Sequence, residues 1–419
     1  MKEKIVLAYS GGLDTSVCIK WLQEKYDAEV VTLTLDLGQT EDFSEIAERS
    51  RAAGAVKHYQ VDVKDEYISN YVLPSIQANG MYQGKYPLAT ALGRPLIATK
   101  LVEVAETEHA TGVAHGCTGK GNDQVRIDVT VRALDPALKV IAPVREWNMS
   151  RDQELVYAKE HGIKVKPSNS IFSIDQNLWG RSIESGPLED PNVEPPASAF
   201  EWITQPKEAP DTPGYVEIGF VEGVPRTIDG EEKGDLQLIR HLNQFAGKHG
   251  VGIIDHIEDR LVGIKSREVY EAPAALTIIE AHRDLEQMVL TRHELAFKSG
   301  VEREWSWLVY SGLWMEPLRF ALDSFVRTTQ RRVSGNVRVK LYKGGLRVVG
   351  RTSKNSLYRA SLSTYSKGST FDQNSAVGFI ELWGLQSRLA AKMASEITRG
   401  KNVEHPKRKQ GQALKQKSK

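Results

Sequence analysis

Seven consecutive residues near the start of the chain, Ser10-Gly11-Gly12-Leu13-Asp14-Thr15-Ser16, have the types and order needed to hold phosphate. They follow the apolar run Lys4 to Tyr9, so the pattern predicts a strand handing over to a helix. Gly11 and Gly12 let the backbone approach phosphate oxygens, and the amides and dipole of a helix start favour an anion. Ser10, Thr15 and Ser16 add hydroxyl donors. Asp14 has two readings, as the helix N-cap or as the group that positions Mg²⁺ on phosphates. No Gly-Lys-Ser/Thr follows, so this is not a Walker A loop; Gly119-Lys120 is followed by Gly121.

A second glycine-rich stretch, His115-Gly116-Cys117-Thr118-Gly119-Lys120-Gly121-Asn122-Asp123, again lies between a strand pattern and a helix pattern, with Arg126 one turn later. Two such loops on adjacent strand ends predict one cleft. Thr118, Asn122, Asp123 and Arg126 offer a hydroxyl, an amide, an acid and a base, a set that suits a zwitterionic amino acid. Arginine can grip a carboxylate with two parallel bonds, and aspartate can receive an ammonium. The plainer reading is a glycine-rich turn before a capped, salt-bridged helix. Cys117 reads as packing.

These residues need elements to position them. Strand patterns at Lys4 to Tyr9, Glu29 to Leu35, Val56 to Val61, Ala110 to His115 and Val140 to Pro143 alternate with helical ones. One helix starts near Asp14; another is expected after Pro95, a favoured first-turn residue. The fold class is therefore α/β, a doubly wound parallel sheet forming a nucleotide-binding domain over 1–165. Prolines from Pro187 to Pro213 suggest a loop-rich crossing over Ser168 to Pro213. An α+β domain is expected over 166–367. It includes a strand at Tyr215 to Val221, a helix at Asp235 to Ala246, an extended stretch from Ile253 to Ile264 and helical patterns from Ala274 to Phe325. A hairpin follows, from Val337 to Tyr342 and Leu346 to Val349. A C-terminal helix over 368–400 carries an apolar stripe, with Phe379, Leu382, Trp383, Leu385 and Leu389 between Ser375 and Thr398, that a neighbouring subunit could cover. The basic stretch 401–419 reads as a disordered tail.

The 419 residues carry 55 Lys+Arg against 54 Asp+Glu, so no overall field attracts nucleic acid or an anionic membrane. Two cysteines, Cys18 and Cys117, are too few for a disulfide framework and fit a reducing compartment. The apolar start turns to Ser and Gly before reaching signal-peptide length, which places the expectation in the cytoplasm. None of the ten histidines falls in a metal-ligand spacing, so no structural metal is expected.

The opening loop resembles the pyrophosphate-binding loop of the N-type ATP pyrophosphatases, which split ATP between the α and β phosphates. The string Ala8 to Ser16, Gly116 to Asp123 with Arg126, Leu188-Glu189-Asp190-Pro191, and Gly263-Ile264-Lys265-Ser266-Arg267 with Tyr270 is similar to the argininosuccinate synthetase family. The likeness continues through Leu341-Tyr342-Lys343-Gly344, Phe371-Asp372-Gln373 and Gly378-Phe379-Ile380, leaving out only the tail. It implies ATP, citrulline and aspartate as substrates, with argininosuccinate, AMP and pyrophosphate as products. It also implies a homotetramer.

Carried over by position, the resemblance assigns ATP to Ala8, Tyr9, Ser10, Gly11, Gly12, Leu13, Asp14, Thr15 and Ser16, to the Leu35 backbone and to Gly116. Aspartate falls on Thr118, Asn122 and Asp123. Citrulline falls on Tyr86, Asn122, Arg126, Ser173, Ser182, Glu258 and Tyr270. Asp14, Asp123 and Arg126 are the candidates closest to the chemistry. Singly, Ser173 and Ser182 also read as loop hydroxyls, Tyr86 and Tyr270 as packing, and Glu258 as a solvated strand charge. Thr90-Ala91 stands where many members have Thr-Ser, so Thr90 is expected to supply the hydroxyl lacking at 91. Glu268, Ala272 and Ala274 replace residues that are often Gly, Thr and Gly. The competing readings are another AMP-forming pyrophosphatase, which would need reactive cysteines or an ammonia source, and a silent nucleotide-binding or RNA-binding module.

Overall fold

A computed structural model describes residues 2–147, 149–164, 170–366 and 368–400, which form two compact units, Met1–Leu357 and Tyr358–Lys419. The first unit opens with β1 (Lys4–Ala8), α1 (Leu13–Tyr26), β2 (Glu29–Asp36), α2 (Phe43–Ala52) and β3 (Lys57–Asp62). One continuous helical stretch follows, α3 (Lys64–Tyr67) and α4 (Leu73–Gln77) joined by a π-helical turn at Ile68–Val72. Next come α5 (Ala89–Glu108), β4 (Gly112–His115), α6 (Asp123–Leu134), β5 (Lys139–Ile141), α7 (Pro143–Trp147) and α8 (Arg151–Glu160).

The five strands form a parallel sheet in the order β3-β2-β1-β4-β5. Ile5, Val6 and Leu7 are buried on both faces, which is why β1 reads as an unbroken apolar run rather than an alternating one. The chain leaves β1 toward β2 and β3 and returns on the other side as β4 and β5. The loops after β1 and β4 therefore meet at the point where strand order reverses, the position at which open α/β sheets bind ligands.

Helix α5 begins six residues before Pro95, which lies inside it, so the expected first-turn role for that proline is wrong. The buried phenol of Tyr86 explains the earlier start. Its hydroxyl oxygen accepts the N–H of Thr90 at 2.8 Å and pairs with Thr90 Oγ1 at 2.6 Å, a local cap on the first turn.

The expected loop-rich crossing holds two strands, β6 (Ser173–Asn177) and β7 (Gly180–Glu184), which pair as a hairpin. Asn177 builds the turn, its Oδ1 accepting the N–H groups of Trp179 and Gly180. The turn docks on the parallel-sheet half: Leu178 N–H donates to the Leu37 carbonyl, Trp179 Nε1 to Pro87 and Asn177 Nδ2 to Ala89.

Beyond it come β8 (Gly214–Val221), β9 (Val224–Ile228), β10 (Glu231–Glu232), α9 (Asp235–Lys248), β11 (Ile253–Asp259) and β12 (Lys265–Glu271). The stretch expected to extend to Ile264 turns instead after Asp259 and returns as β12. Helices α10 (Pro273–Val289), α11 (Arg292–Tyr310) and α12 (Pro317–Gln330) precede the hairpin β13 (Gly335–Tyr342) and β14 (Gly345–Thr352). The strands make two antiparallel sheets, β10-β9-β8-β13-β14 and β11-β12-β7-β6. Val6 of β1, Leu92 of α5, Leu285 of α10 and Val337 of β13 belong to one continuous apolar core.

The second unit contains α13 (Ala360–Ser363), α14 (Ser375–Trp383) and α15 (Leu385–Gly400). The single long helix expected here is two, with Gly384 as the C-cap of the first. Phe379, Leu382, Trp383 and Leu389 are exposed in this chain. The basic stretch 401–419 lies outside the described residues.

Candidate active site

The first glycine loop closes on α1 with Gly12, not Asp14, as the N-cap. Asp14 sits one residue inside the helix, so its cap reading is corrected. Gly12 has no side-chain oxygen, and no side chain caps this helix end, so its first amides are left for a ligand. Gly11 has φ of +76°, a left-handed conformation that favours glycine, and an added Cβ would lie 3.0 Å from Ile46. Hydroxyls brace the loop: Ser10 Oγ and Thr15 Oγ1 are 3.1 Å apart, and Tyr9 Oη and Ser16 Oγ 3.0 Å apart. Arg49 of α2 donates to the Gly11 carbonyl at 2.8 Å, a cation beside the loop that sequence reasoning did not single out. Ala8 pairs with Leu33 in the sheet, and the Leu35 carbonyl accepts Gln39 Nε2 at 2.7 Å.

The second loop touches the first. A Cβ on Gly116 would come within 2.8 Å of Thr15 Cγ2, so the two loops close to this distance only with glycine at 116. Glu154 of α8 is buried beside Asp14. Burial, then the charge of Asp14 and a hydrogen bond shared with it, push the Glu154 carboxyl up to about 7. Arg151 is the cation nearest this pair, with Nη1 3.9 Å from Asp14 Oδ1, and its charge opposes the rise at Glu154. Among the described residues no group of three or more His, Cys, Asp or Glu could hold a metal ion.

A cavity of about 100 Å³ gathers most of the remaining candidates: Tyr86, Thr90, Asn122, Asp123, Arg126, Ser182, Glu258 and Tyr270. Thr118 is exposed outside its wall, and Ser173 is exposed on β6. Asp175, Glu184, Arg260 and Glu268 line the cavity and were not predicted. Two larger clefts, about 640 and 580 Å³, surround Met81, Gly84 and Arg283 and contain none of the predicted residues. The smaller cavity is the stronger candidate because buried charges converge on it.

Arg126 is fixed from several sides. Nη1 donates to Asp123 Oδ1 at 2.9 Å, Nε donates to the Tyr310 carbonyl at 2.9 Å, and the guanidinium lies 4.8 Å from the Tyr310 ring centroid. A Cβ on Gly312 would stand 2.7 Å from Arg126 Cα, so the end of α11 packs directly on this backbone. Nη2 is buried and has no hydrogen-bond partner. A buried guanidinium nitrogen without an acceptor is costly, and an anionic group entering the cavity would satisfy it.

Acidic groups surround this cation. Burial opposes ionisation of Asp123, but Arg94 and Arg126 overcome it and hold the carboxyl near about 2. Arg94 also pairs with Asp175, whose carboxyl burial pushes up. Glu258 accepts from Tyr270 Oη at 2.7 Å and from Tyr310 Oη, and burial raises its pKa too. The Tyr86 and Tyr270 rings stack with centroids 4.3 Å apart, forming an aromatic wall. Asn122 ties both halves of the unit together: its Nδ2 donates to Tyr310 Oη at 2.8 Å and its Oδ1 accepts Leu261 N–H at 2.9 Å. Arg260 adds bonds to Glu184 and Glu268 at 2.6 and 2.7 Å. The site thus offers one unpartnered guanidinium nitrogen and several carboxyls, the complement of a zwitterion.

Comparison with known proteins agrees with this geometry. The arginosuccinate synthase N-terminal HUP domain matches residues 4–164, and the arginosuccinate synthase C-terminal domain matches residues 172–390. The chain is 58% identical to argininosuccinate synthase of Pyrococcus furiosus, over 96% of this chain and 97% of that protein. It is 57% identical to argininosuccinate synthase of Rubrobacter xylanophilus, over 92% and 94%. With argininosuccinate synthase of Pyrobaculum aerophilum the identity is 56%, over 92% and 98%.

Proposed function

The chain belongs to the argininosuccinate synthase family, the ligases that join citrulline to aspartate with ATP, and we propose how its own residues divide that work. The observation that carries the assignment is the buried, unpartnered Nη2 of Arg126, a residue that lines a cavity otherwise rich in carboxyls. The citrulline carboxylate takes that nitrogen. Its ammonium takes Glu258, held by the Tyr270 and Tyr310 hydroxyls, and the Tyr86–Tyr270 wall flanks the aliphatic stem. Ser182 and Thr90 supply further polar contacts, and Ser173 stands at the outer end of the hairpin.

ATP lies across the two touching glycine loops, its phosphates on the Ser10 to Ser16 amides and hydroxyls, with Ala8, Leu35 and Gly116 along the nucleotide. Asp14, with Glu154 beside it, would hold Mg²⁺, which supplies charge neutralisation on the leaving phosphates. A ureido carbon is a weak electrophile because two nitrogens donate into it. Attack of the ureido oxygen on the α phosphorus expels pyrophosphate and turns that oxygen into an AMP leaving group. The aspartate amine, placed by Thr118, Asn122 and Asp123, then attacks the ureido carbon and AMP departs. The protein acts by alignment and by fixed charge, effects that can lower a barrier by several kcal/mol (roughly) without a protein nucleophile.

No helix among the described residues is long and apolar enough to cross a membrane, and the two free cysteines suit a reducing cytoplasm. The exposed apolar residues of α14 and α15 are assigned to contacts between copies in a homotetramer. The reaction is tested by following AMP, pyrophosphate and argininosuccinate with each substrate omitted in turn. AMP release that requires citrulline supports the scheme; ADP as product, or turnover without citrulline, refutes it.

A further inference from the structure

The second glycine loop holds itself together poorly. Within it the backbone makes one long hydrogen bond, from Gly121 N–H to the Thr118 carbonyl at 3.4 Å. Glycines lose much conformational freedom on ordering, so a loop with Gly116, Gly119 and Gly121 needs restraint from outside. Arg260 of the cavity wall reaches the Lys120 carbonyl at 3.4 Å, and further restraint comes from four side chains that do not line the cavity.

His115, buried at the end of β4, accepts the Cys117 N–H on Nδ1 at 3.2 Å. An accepting Nδ1 carries no proton, so Nε2 does, and it donates to Asp128 Oδ1 at 2.7 Å. Asp128 Oδ2 accepts from Arg145 Nη2 at 3.0 Å. Arg145 Nη1 donates to Gln124 Oε1 at 2.9 Å, which fixes the orientation of that amide. Gln124 Nε2 then donates back to the loop, to the Gly119 carbonyl at 2.5 Å and the Gly121 carbonyl at 3.3 Å. The path leaves the loop backbone at residue 117 and re-enters it at 119 and 121. Each link has one donor and one acceptor, so its direction is determined throughout.

We propose that His115, Asp128, Arg145 and Gln124 are positioning residues that set the Gly116 to Gly121 loop for the second amino acid, and thereby set the KM for aspartate. This rests on the assignment of Thr118 and its neighbours to aspartate. The four residues act through the loop backbone, not on substrate.

The test uses the full chain and three variants. Gln124→Glu keeps the acceptor facing Arg145 but replaces the donor facing Gly119 and Gly121 with a carboxylate. Arg145→Met cuts the middle of the circuit at a residue whose side chain is one-third exposed, so folding is not at stake. Thr118→Ala reports on the aspartate assignment itself. Gln124→Glu and Arg145→Met should each raise the KM for aspartate about tenfold, with the KM for citrulline within about twofold. The double variant should be little worse than either single one, because both break one circuit. If Thr118→Ala raises the aspartate KM while the other two leave it unchanged, the circuit fails and the substrate assignment stands. If Thr118→Ala leaves it unchanged, the assignment fails and the proposal with it. Equal rises for both amino acids would also overturn it, since that is the mark of a general structural role.

Discussion

Arg126 and Asp123 sit one helical turn apart on α6, and the bond between Nη1 and Oδ1, 2.9 Å, holds a guanidinium whose nitrogen Nη2 is buried without a partner. The pairing does two things at once. It neutralises part of the cation and, with Nε donated to the Tyr310 carbonyl, it leaves Nη2 as the nitrogen without an acceptor. Asp123 is itself shared with Arg94 at 2.8 Å, and against its burial the two guanidinium charges bring its carboxyl down to about 2.

Glu154 gives the site a pH signature. Its carboxyl keeps a proton up to about 7, well above the ordinary 4.5. An unfolded chain loses that proton near its ordinary value and binds fewer protons through the window between them. Stability should therefore fall as pH rises through that window and stay lower above it. Glu154→Gln should flatten this dependence in thermal melts. The same deprotonation doubles the negative charge beside the phosphate loop, so ATP binding without a divalent cation should weaken as pH rises through about 7. Identical melting profiles for variant and parent would refute this.

Gly116 tests whether the two loops form one site. Gly116→Ala puts a methyl group 2.8 Å from Thr15 Cγ2, and a threonine methyl braced by the Ser10 hydroxyl cannot swing aside. The loops must separate by several tenths of an ångström. The KM for ATP should rise on the order of tenfold while the fold survives. An unchanged KM would separate the second loop from nucleotide binding.

Tyr86 has a structural duty besides its place in the cavity wall. Tyr86→Phe removes the acceptor for the Thr90 amide at the start of α5. The loss of a helix cap costs about 1 kcal/mol, to be read as a lower urea midpoint with an unchanged slope. Because Thr90 Oγ1 loses its partner as well, citrulline binding should weaken in parallel. A variant with full stability would show that another group caps the helix.

The parallel sheet and its first loop were legible because their signals are local. A buried strand such as β1 reads as an apolar run, and the whole string Ser10 to Ser16 after it says more than a glycine pair, which is common between strand and helix. The start of α5 was not legible, since its cap is the phenol of Tyr86, four residues before the amide it accepts, rather than a Ser, Thr, Asp or Asn side chain at the N-cap. The β6–β7 hairpin was hidden by neighbouring prolines, although Asn177 and Gly180 were the turn residues that would have marked it. Arg94, Asp175 and Arg260 were missed for another reason. Arg94 finds Asp175 across 81 residues, and Arg260 finds Glu184 across 76, so only the folded chain shows which charges meet.

The role of Arg126 is tested most directly by calorimetric binding of citrulline and of its decarboxylated analogue, N-carbamoylputrescine, to the parent chain and to Arg126→Ala. A buried charge-assisted bond predicts that the parent prefers citrulline by about 100-fold or more, and that the variant loses most of that preference while still binding ATP. Equal affinity of the parent for the two ligands, or a preference that survives in Arg126→Ala, would contradict the account.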